Sequence, residues 1–346
     1  MKAYHELSRL GQLRRMRKLA ETALIPYGME NSKLTFLRHF ANTTYRVDLP
    51  QKGSSKLSQS HYLPDRYLLR VLVSSRWEYA LGEMTWLAAL SKEAGLPVPA
   101  PVPNQDGELL TKVVTEGIPE GRIVSMMRWI DGRKPGHISK PEQFFSWGRL
   151  VAQLHAFAAS WQLPDGFERY IWDWEGLLGK RYLGEGVHGL VNQMPEHLQE
   201  PFQIVSAEVK SVMQLLGNGR DVYGLVHGDM YPDNILVKGA DIRIIDFEDC
   251  GFGYWLWDIA IALENHPWTE LWYQQRDAFL EGYTQVHPLP DSQLQHLDLF
   301  LAVDYATVLI WATQFMQDEP GRYDEYETWR EENGRNLLRY FDRKVR

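Results

Sequence analysis

Cysteine is nearly absent from this chain of 346 residues, whose single cysteine is Cys250. One cysteine cannot form a disulfide bond within the chain, so a reducing, cytoplasmic compartment is expected. The chain also lacks an excess of basic residues, because its formal net charge is -8, and nucleic acid is therefore not an expected partner. No apolar run is judged long enough to span a membrane, so no membrane partner is expected either.

The composition is that of an ordinary globular protein, with 44% hydrophobic and 24% charged residues. The length suffices for two lobes or for one large domain. Thirteen tryptophans and seventeen tyrosines indicate either aromatic-lined surfaces or a heavy core, and the core is the more common explanation.

The most informative segment reads V-H-G-D-M-Y-P-D-N-I-L-V from Val226, followed by I-I-D-F from Ile244. Two apolar runs lie on either side of the turn-forming residues 238–241, and this pattern predicts an antiparallel hairpin. Asn234 and Asp246 would then emerge at the open end of the hairpin, with Asp229 on the loop before it. Transfer of a phosphoryl group from ATP requires such a set, in which one group faces the acceptor hydroxyl and two oxygen ligands bind Mg2+.

This pattern resembles the aminoglycoside-phosphotransferase-like branch of the protein-kinase-like fold, which includes antibiotic, choline and homoserine kinases and a bacterial stress-response kinase. The resemblance implies an α+β, two-lobed fold, with a small β-rich nucleotide-binding lobe at 1–130 and a larger, mainly helical catalytic lobe at 131–346. It implies ATP and Mg2+ as cofactors, Asp229 as the catalytic residue, and Asn234 and Asp246 as metal ligands. His227 would brace the loop.

The resemblance assigns nucleotide contacts in the first lobe. Two strands around Ala41-Asn42-Thr43 would cover the phosphates, and Asn42 and Thr43 could donate hydrogen bonds there; an ordinary β-turn is the alternative. Arg70 occupies the apparent position of the phosphate-binding lysine of kinases. Arginine side chains also bind phosphate well. A helix is predicted over 76–91, with an apolar stripe formed by Leu81, Met84, Leu87 and Leu90. Glu83 on this helix would pair with Arg70, with Glu78 as the alternative partner.

The segment M-M-R-W-I-D-G from Met126 resembles the hinge of the family. The Arg128 carbonyl and the Ile130 amide would then bind the adenine edge, and Met127 would lie behind the ring. In the second lobe, Asp258 resembles the buried aspartate that accepts backbone N–H groups of the catalytic loop, although a helix N-cap is also compatible with its position. His155 is expected in the core.

The acceptor is less constrained by the sequence. The acidic residues in 229–249 could attract an amine-bearing acceptor, such as an aminoglycoside, choline or a homoserine-like molecule, or could be solvated loop carboxylates. The region after Asp258 would carry the acceptor pocket. Its candidate residues are Glu264, His266, Trp268, Asp304, Tyr305, Trp311 and Glu319.

Only eleven residues separate Asp246 from Asp258, which leaves little room for a regulatory activation loop. Gly228 also replaces the arginine that grips a phosphorylated loop in regulated protein kinases. Both features favour an ATP-dependent phosphotransferase that acts on a hydroxyl of a small molecule. A stress-response-type protein Ser/Thr kinase and a non-catalytic nucleotide-binding regulator remain alternatives. The choice between ATP and GTP and the oligomeric state stay open.

Overall fold

The computed structural model describes residues 4–39, 42–50, 61–72, 76–135, 140–318 and 320–344. The chain forms two compact units. Unit 1 comprises Met1–Lys134, Leu163–Arg169 and Leu236–Glu248; unit 2 comprises Pro135–Gln162, Tyr170–Ile235 and Asp249–Arg346. The assignment of nucleotide binding to residues 1–130 and of catalysis to residues 131–346 is not tested by this division and stays a prediction.

Unit 1 is built on an antiparallel sheet of five strands in the order β1-β2-β3-β5-β4. A helix precedes the sheet, and a second helix lies between β3 and β4. The elements are α1 (Arg9–Ala23), β1 (Lys33–His39), β2 (Asn42–Asp48), β3 (Tyr62–Leu72), α2 (Trp77–Lys92), β4 (Leu110–Thr115) and β5 (Ile118–Ile130).

Helix α1 contributes its apolar stripe to the core of unit 1. Ser8 caps the helix by accepting a hydrogen bond from the Gly11 amide, which satisfies one of the amides that every helix start leaves unpaired. The buried side chains of Met16 and Leu19 belong to the same core cluster as Tyr45 of β2 and sheet residues from β3 to β5. Each such aliphatic side chain contributes about 1.5–3 kcal/mol when fully buried.

Two expectations for unit 1 need correction. The predicted apolar stripe of α2 included Leu81, which is 38% exposed, whereas Glu83 is buried; the face containing Gly82 packs within van der Waals contact of the Glu168 backbone. Asn42 and Thr43 were placed in a turn, but they begin β2. Their pairing with β3 extends the ladder by two residues.

Unit 2 is mainly helical, and the predicted hairpin leads from it into unit 1. The elements that follow β5 are α3 (Pro141–Ser160), β6 (Tyr170–Trp172), α4 (Trp174–Leu177), α5 (Lys180–Leu183), α6 (Val187–Gln193), α7 (Glu196–Leu216), β7 (Tyr223–Val226), the hairpin strands β8 (Ile235–Lys238) and β9 (Asp241–Ile244), β10 (Gly251–Tyr254), α8 (Trp255–Ala262), α9 (Glu270–Thr284), α10 (Asp291–Leu294), α11 (Leu297–Asp318) and α12 (Tyr323–Lys344). Together with unit 1 they confirm the predicted α+β class and the hairpin.

A small sheet in unit 2 positions the H-G-D segment. Strand β10 lies in its centre, parallel to β6 and antiparallel to β7. Gly251 is therefore opposite both Tyr170 and Val226. The loop that starts at His227 leaves β7 beside the chain that enters β10, so this edge of the sheet brings the two segments together.

The segment Asp291–Asp318, which contains α11, is long and apolar enough to cross a membrane by length and composition. The expectation that no apolar run is long enough to span a membrane is therefore wrong. Within the fold, 72% of the apolar window is buried, as in the core helix of a globular domain. Helix α11 packs against α7, α8 and α12.

Helices α3 and α9 approach each other through a pair of reciprocal glycines. A Cβ atom on Gly148 of α3 would lie 2.0 Å from the Phe279 carbonyl oxygen, and one on Gly282 of α9 would lie 2.0 Å from the Phe145 carbonyl oxygen. The two backbones therefore touch where the side chains are absent. Trp147 packs edge-on against Phe279 beside this contact, with the ring centroids 5.9 Å apart.

We expect Gly148→Ala and Gly282→Ala each to lower the free energy of unfolding by about 1–3 kcal/mol, because the added methyl group forces the helices apart. Chemical denaturation measures the change. Gly189→Ala is the matched control, since Gly189 lies in helix α6 with nothing within 4 Å of the added Cβ, and its stability should be unchanged or slightly higher. Equal effects at the three positions would contradict the close contact.

Candidate active site

The H-G-D loop is organised around the carboxylate of Asp258. The His227 amide donates to Asp258 Oδ2 at 2.8 Å, and the Gly228 amide donates to Oδ1 at 2.9 Å. His155 Nε2 lies 3.0 Å from Oδ2. Asp258 is inside α8, whose N-cap residue is Tyr254, so the N-cap alternative is wrong and the expected bonds to the loop are present.

Burial alone would raise the pKa of Asp258, but the hydrogen bond and charge interaction with His155 and those with His227 hold that pKa below its usual value. His155 is a core residue, as expected: its Nδ1 lies 2.8 Å from the Tyr283 hydroxyl oxygen. Its ring stacks on Trp255 with centroids 4.6 Å apart. These contacts fix the imidazole, and the imidazole fixes the carboxylate.

Gly228 is required by the shape of this loop. Its φ is +82°, a left-handed value that other residues adopt only with strain. A Cβ atom there would also lie 2.3 Å from the Asp249 carbonyl oxygen and 2.9 Å from Trp172 Nε1. Trp172 Nε1 donates to that same carbonyl at 2.7 Å. The sequence pattern indicated only that Gly228 replaces an arginine, and it indicated no role for Trp172.

Asp229 follows this turn and is held by its own loop. Its amide donates to His227 Nδ1 at 3.2 Å, as expected of a bracing histidine. The side-chain Nδ2 of Asn234 donates to Asp229 Oδ2 at 2.6 Å and to the Asp229 carbonyl at 2.9 Å. Because the amide nitrogen of Asn234 faces Asp229, its Oδ1 is the atom that remains to act as an oxygen ligand.

A buried ion pair in unit 1 contains two of the predicted nucleotide-binding residues. Arg70 Nη2 lies 2.5 Å from Glu83 Oε2, and the two side chains are 5% and 2% exposed. Glu78, the alternative partner, instead lies 3.7 Å from Arg76. Burial alone would lower the pKa of Arg70, but Glu83, Glu248 and Asp246 raise it on balance, so the guanidinium stays charged.

Asp246 and Glu248 belong to unit 1, like this pair, but lie on its segment Leu236–Glu248. Asp246 is exposed and has a φ of +66°, and such strain in a residue other than glycine is typical of functional sites. Arg169 holds the segment by donating to the Glu248 carbonyl and to the Tyr79 carbonyl. Burial raises the pKa of the Glu248 carboxyl, and Glu83 and Asp246 raise it further against the opposing effect of Arg70.

The remaining predicted nucleotide contacts are all in unit 1. Asn42 Nδ2 donates to Glu248 Oε2, and Thr43 Oγ1 lies 2.7 Å from His39 Nδ1, so both polar side chains are engaged. The hinge residues end β5, where Met127 and Ile130 are buried and the Arg128 amide donates to the Ala100 carbonyl at 2.8 Å. Their roles toward adenine and phosphate stay predictions.

A cavity of about 290 Å³ opens within unit 2 beside Asp229. Aromatic rings and carboxylates dominate its wall, and the residues that line it include no lysine, arginine or histidine. The aromatic residues are Trp172, Tyr231, Trp257, Trp311, Phe315 and Trp329, and the acidic ones are Asp229, Asp249 and Asp304.

Two of the predicted acceptor residues, Asp304 and Trp311, line this cavity. The others lie elsewhere: His266 is exposed, Trp268 Nε1 donates to Asp298 at 3.1 Å, and the Tyr305 hydroxyl donates to the Glu264 carbonyl at 2.8 Å. The candidate Glu319 is outside the described residues. Most of the aromatic residues of the cavity could not be identified from the sequence, because no spacing rule joins positions on β6, α8, α11 and α12.

Comparison with known proteins gives consistent matches. The profile of a family described as "Phosphotransferase enzyme family" matches residues 33–292. Amicoumacin kinase of Bacillus subtilis (strain 168) is 26% identical over 305 residues, which are 84% of this chain and 82% of that protein. Homoserine kinase of Parvibaculum lavamentivorans is 25% identical over 286 residues, 80% of this chain and 74% of that protein.

Among solved structures, the microcompartment-associated aminopropanol kinase matches 94% of this chain and 98% of its own chain, with a TM-score of 0.71 and 26% identity. This likeness, together with the sheet and helices described above, confirms the predicted kinase-like fold.

We expect Gly228→Ala to loosen the loop, because its Cβ would collide with the Asp249 carbonyl and because its φ is positive. Hydrogen exchange at the amides of residues 227 and 228 should become at least about tenfold faster as their bonds to Asp258 weaken. Gly95→Ala is the control, since Gly95 has a φ of +65° and nothing within 4 Å. Unchanged protection in Gly228→Ala would contradict the assigned contact.

Proposed function

This chain belongs to the phosphotransferase enzyme family, and on that basis we propose that it transfers the γ-phosphoryl group of ATP to a hydroxyl group of a small molecule. The observation that carries the proposal is the position of Asp229, which lines a cavity of small-molecule size and is oriented by Asn234. Catalysis of this reaction consists mainly of positioning and charge stabilisation, and the loop is built for both.

Asp229 is the residue that receives the acceptor. Its carboxylate accepts a hydrogen bond from the substrate hydroxyl and holds that oxygen in line with the phosphoryl group. The Asn234 amide donates to Oδ2 and thereby fixes the orientation of the carboxylate that receives the hydroxyl. His227, whose Nδ1 accepts from the Asp229 amide, prevents the backbone of the loop from turning.

The donor set suits Mg2+ together with a triphosphate. Mg2+ takes one or two protein oxygens and completes its shell with phosphates and water. Asn234 Oδ1 and the Asp246 carboxylate are hard oxygens of this kind. Within the described part of the chain no cluster of three His, Cys, Asp or Glu side chains could hold a metal alone, which agrees with sharing between protein and nucleotide. When bound, MgATP would supply the phosphoryl group, and the Mg2+ ion would offset the negative charge that develops on that group during transfer.

Arg70 is the proposed phosphate ligand in unit 1. Its Nη2 is bound by Glu83, while its Nε and Glu83 Oε1 are both buried and accept or donate no hydrogen bond among the described residues. A guanidinium held on one side and unsatisfied on another is prepared to bind an additional anion. Glu83 therefore orients Arg70, and Arg70 binds the phosphates.

The segment after Asp246 favours a small acceptor over a protein. Between Asp246 and Asp258 the chain already forms β10 and the start of α8, so it contains no extended activation segment. The presence of Asp229, Asn234 and Asp246 together speaks against a regulator without catalysis.

We expect Asp229→Asn to lower the turnover number by at least about 10³-fold, because an amide cannot accept and align the hydroxyl as a carboxylate does. The dissociation constant of MgATP, measured by calorimetry, should change less than about threefold. Asp233→Asn is the matched control: it lies in the same loop, is exposed, and should leave turnover unchanged. Full activity in Asp229→Asn would refute the mechanism.

We expect Arg70→Lys to raise the KM for ATP by about tenfold, because lysine keeps the charge but loses the planar fork that reaches both Glu83 and phosphate. Initial rates at varied ATP measure the change. Arg66→Lys is the control on the same strand, since Arg66 pairs at 2.8 Å with Asp48 and is 35% exposed. A KM for ATP that responds equally to both substitutions would exclude a specific role of Arg70.

A further inference from the structure

Asp304 of α11 is a buried carboxylate that the phosphoryl-transfer mechanism does not use. It is 2% exposed and lines the cavity that contains Asp229. The Tyr231 hydroxyl donates to Asp304 Oδ1 at 2.7 Å. The second oxygen, Oδ2, is buried and accepts no hydrogen bond from any described residue. A buried carboxylate oxygen without a partner is costly, and a ligand that donates to it would remove that cost.

The groups around Asp304 indicate that such a ligand carries a positive charge. Burial raises the pKa of Asp304 to about 7; the Tyr231 hydrogen bond opposes that effect, and the negative charge of Asp229 adds to it. Nearby, burial together with Asp304 and Glu332 raises the pKa of Glu264 to about 8. None of the described residues that line the cavity is a lysine, an arginine or a histidine. Both carboxyls therefore hold their protons near neutral pH unless a positive charge is bound beside them, and the described residues of the cavity wall supply no such charge.

Resting on the proposed phosphotransferase function, we propose that the acceptor is an amino alcohol without a carboxylate, and that its protonated primary or secondary amine donates a hydrogen bond to Asp304 while its hydroxyl binds Asp229. Asp304 is thus a specificity-determining residue. The ammonium group supplies both the positive charge and the N–H donor that the site lacks. A small neutral diol can donate a hydrogen bond through its second hydroxyl, but it lacks the positive charge.

Two related classes of acceptor fit this site less well. A quaternary ammonium group would be attracted by the aromatic wall through cation–π interactions, but it has no hydrogen to donate to Asp304 Oδ2. An amino acid such as homoserine would bring a carboxylate toward Asp229, Asp249 and Asp304, with no arginine, lysine or histidine in the cavity wall to receive it. Like charges at short range in a poorly solvated site repel strongly.

The test compares four acceptors that differ by one group. They are the aminopropanol with amine and hydroxyl at opposite ends, its trimethylammonium analogue, homoserine (the same molecule with a carboxylate added), and propanediol. We expect kcat/KM for aminopropanol to exceed that of the other three by at least about tenfold. If homoserine, propanediol or the quaternary analogue is phosphorylated as efficiently, the inference is overturned while the phosphotransferase function stands.

The matched variant is Asp304→Asn, which keeps the volume and an oxygen for the Tyr231 hydroxyl but removes the charge. It should raise the KM for aminopropanol by about 10- to 100-fold, leave the KM for ATP unchanged, and abolish the preference over propanediol. Asp318→Asn, exposed on the same helix, should change none of these values. An unaltered preference in folded Asp304→Asn overturns the inference. Absence of transfer to any alcohol in a broad acceptor set would instead refute the phosphotransferase function itself, and the inference with it.

Discussion

One buried carboxylate accepts hydrogen bonds from two successive backbone amides, and this constraint determines the shape of the H-G-D loop. Asp258 accepts both the His227 and Gly228 amides while His155 binds it from the opposite side. Hydrogen bonds to an ionised group are stronger than those between neutral groups, and burial excludes the water that would compete. Because these amides are fixed, the chain must turn at Gly228, and the next residue, Asp229, can leave the loop in only one direction.

Unit 1 contains a similar arrangement, in which the buried charged group is a positive guanidinium and not a carboxylate. There a buried guanidinium, Arg70, is fixed by Glu83, and a second carboxyl, Glu248, is fixed by Asn42. Burying charges is unfavourable unless each is paired and hydrogen-bonded. Each unit also contains a buried polar atom that has no hydrogen-bond partner among the described residues: Asp304 Oδ2 in unit 2 and Arg70 Nε in unit 1. A buried polar atom without a partner costs stability, which is consistent with the binding roles that we propose for these two residues.

The sequence predicted those parts of the site that depend on local spacing. The β8–β9 hairpin and the helical position of Glu83 follow from residues within short motifs, and the structure contains both. The bonds of Asp258 to the loop were expected from the family resemblance alone, and they are present. What it could not predict depends on contacts between distant segments. Trp172 reaches the loop only because β6 pairs with β10, and Leu81 is exposed only because α2 buries the side that carries Gly82. The left-handed backbone of Asp246 has no signature in residue type, since aspartate there satisfies the same motif in any conformation.

The reciprocal glycines of α3 and α9 give the helix separation a role in the chemistry. Tyr283 follows Gly282 directly, and its hydroxyl lies 2.8 Å from the Nδ1 of His155 on the facing helix. A hydrogen bond of that length tolerates little change in the spacing of the two helices. The backbone contact at Gly148 and Gly282 therefore sets the distance between the axes of α3 and α9. Through the contacts of Tyr283, His155 and Asp258, this distance determines the position of the loop that carries Asp229. Two glycines without side chains thus help to set the position of the loop in which we place the catalytic aspartate, although the sequence motif of that loop does not include them.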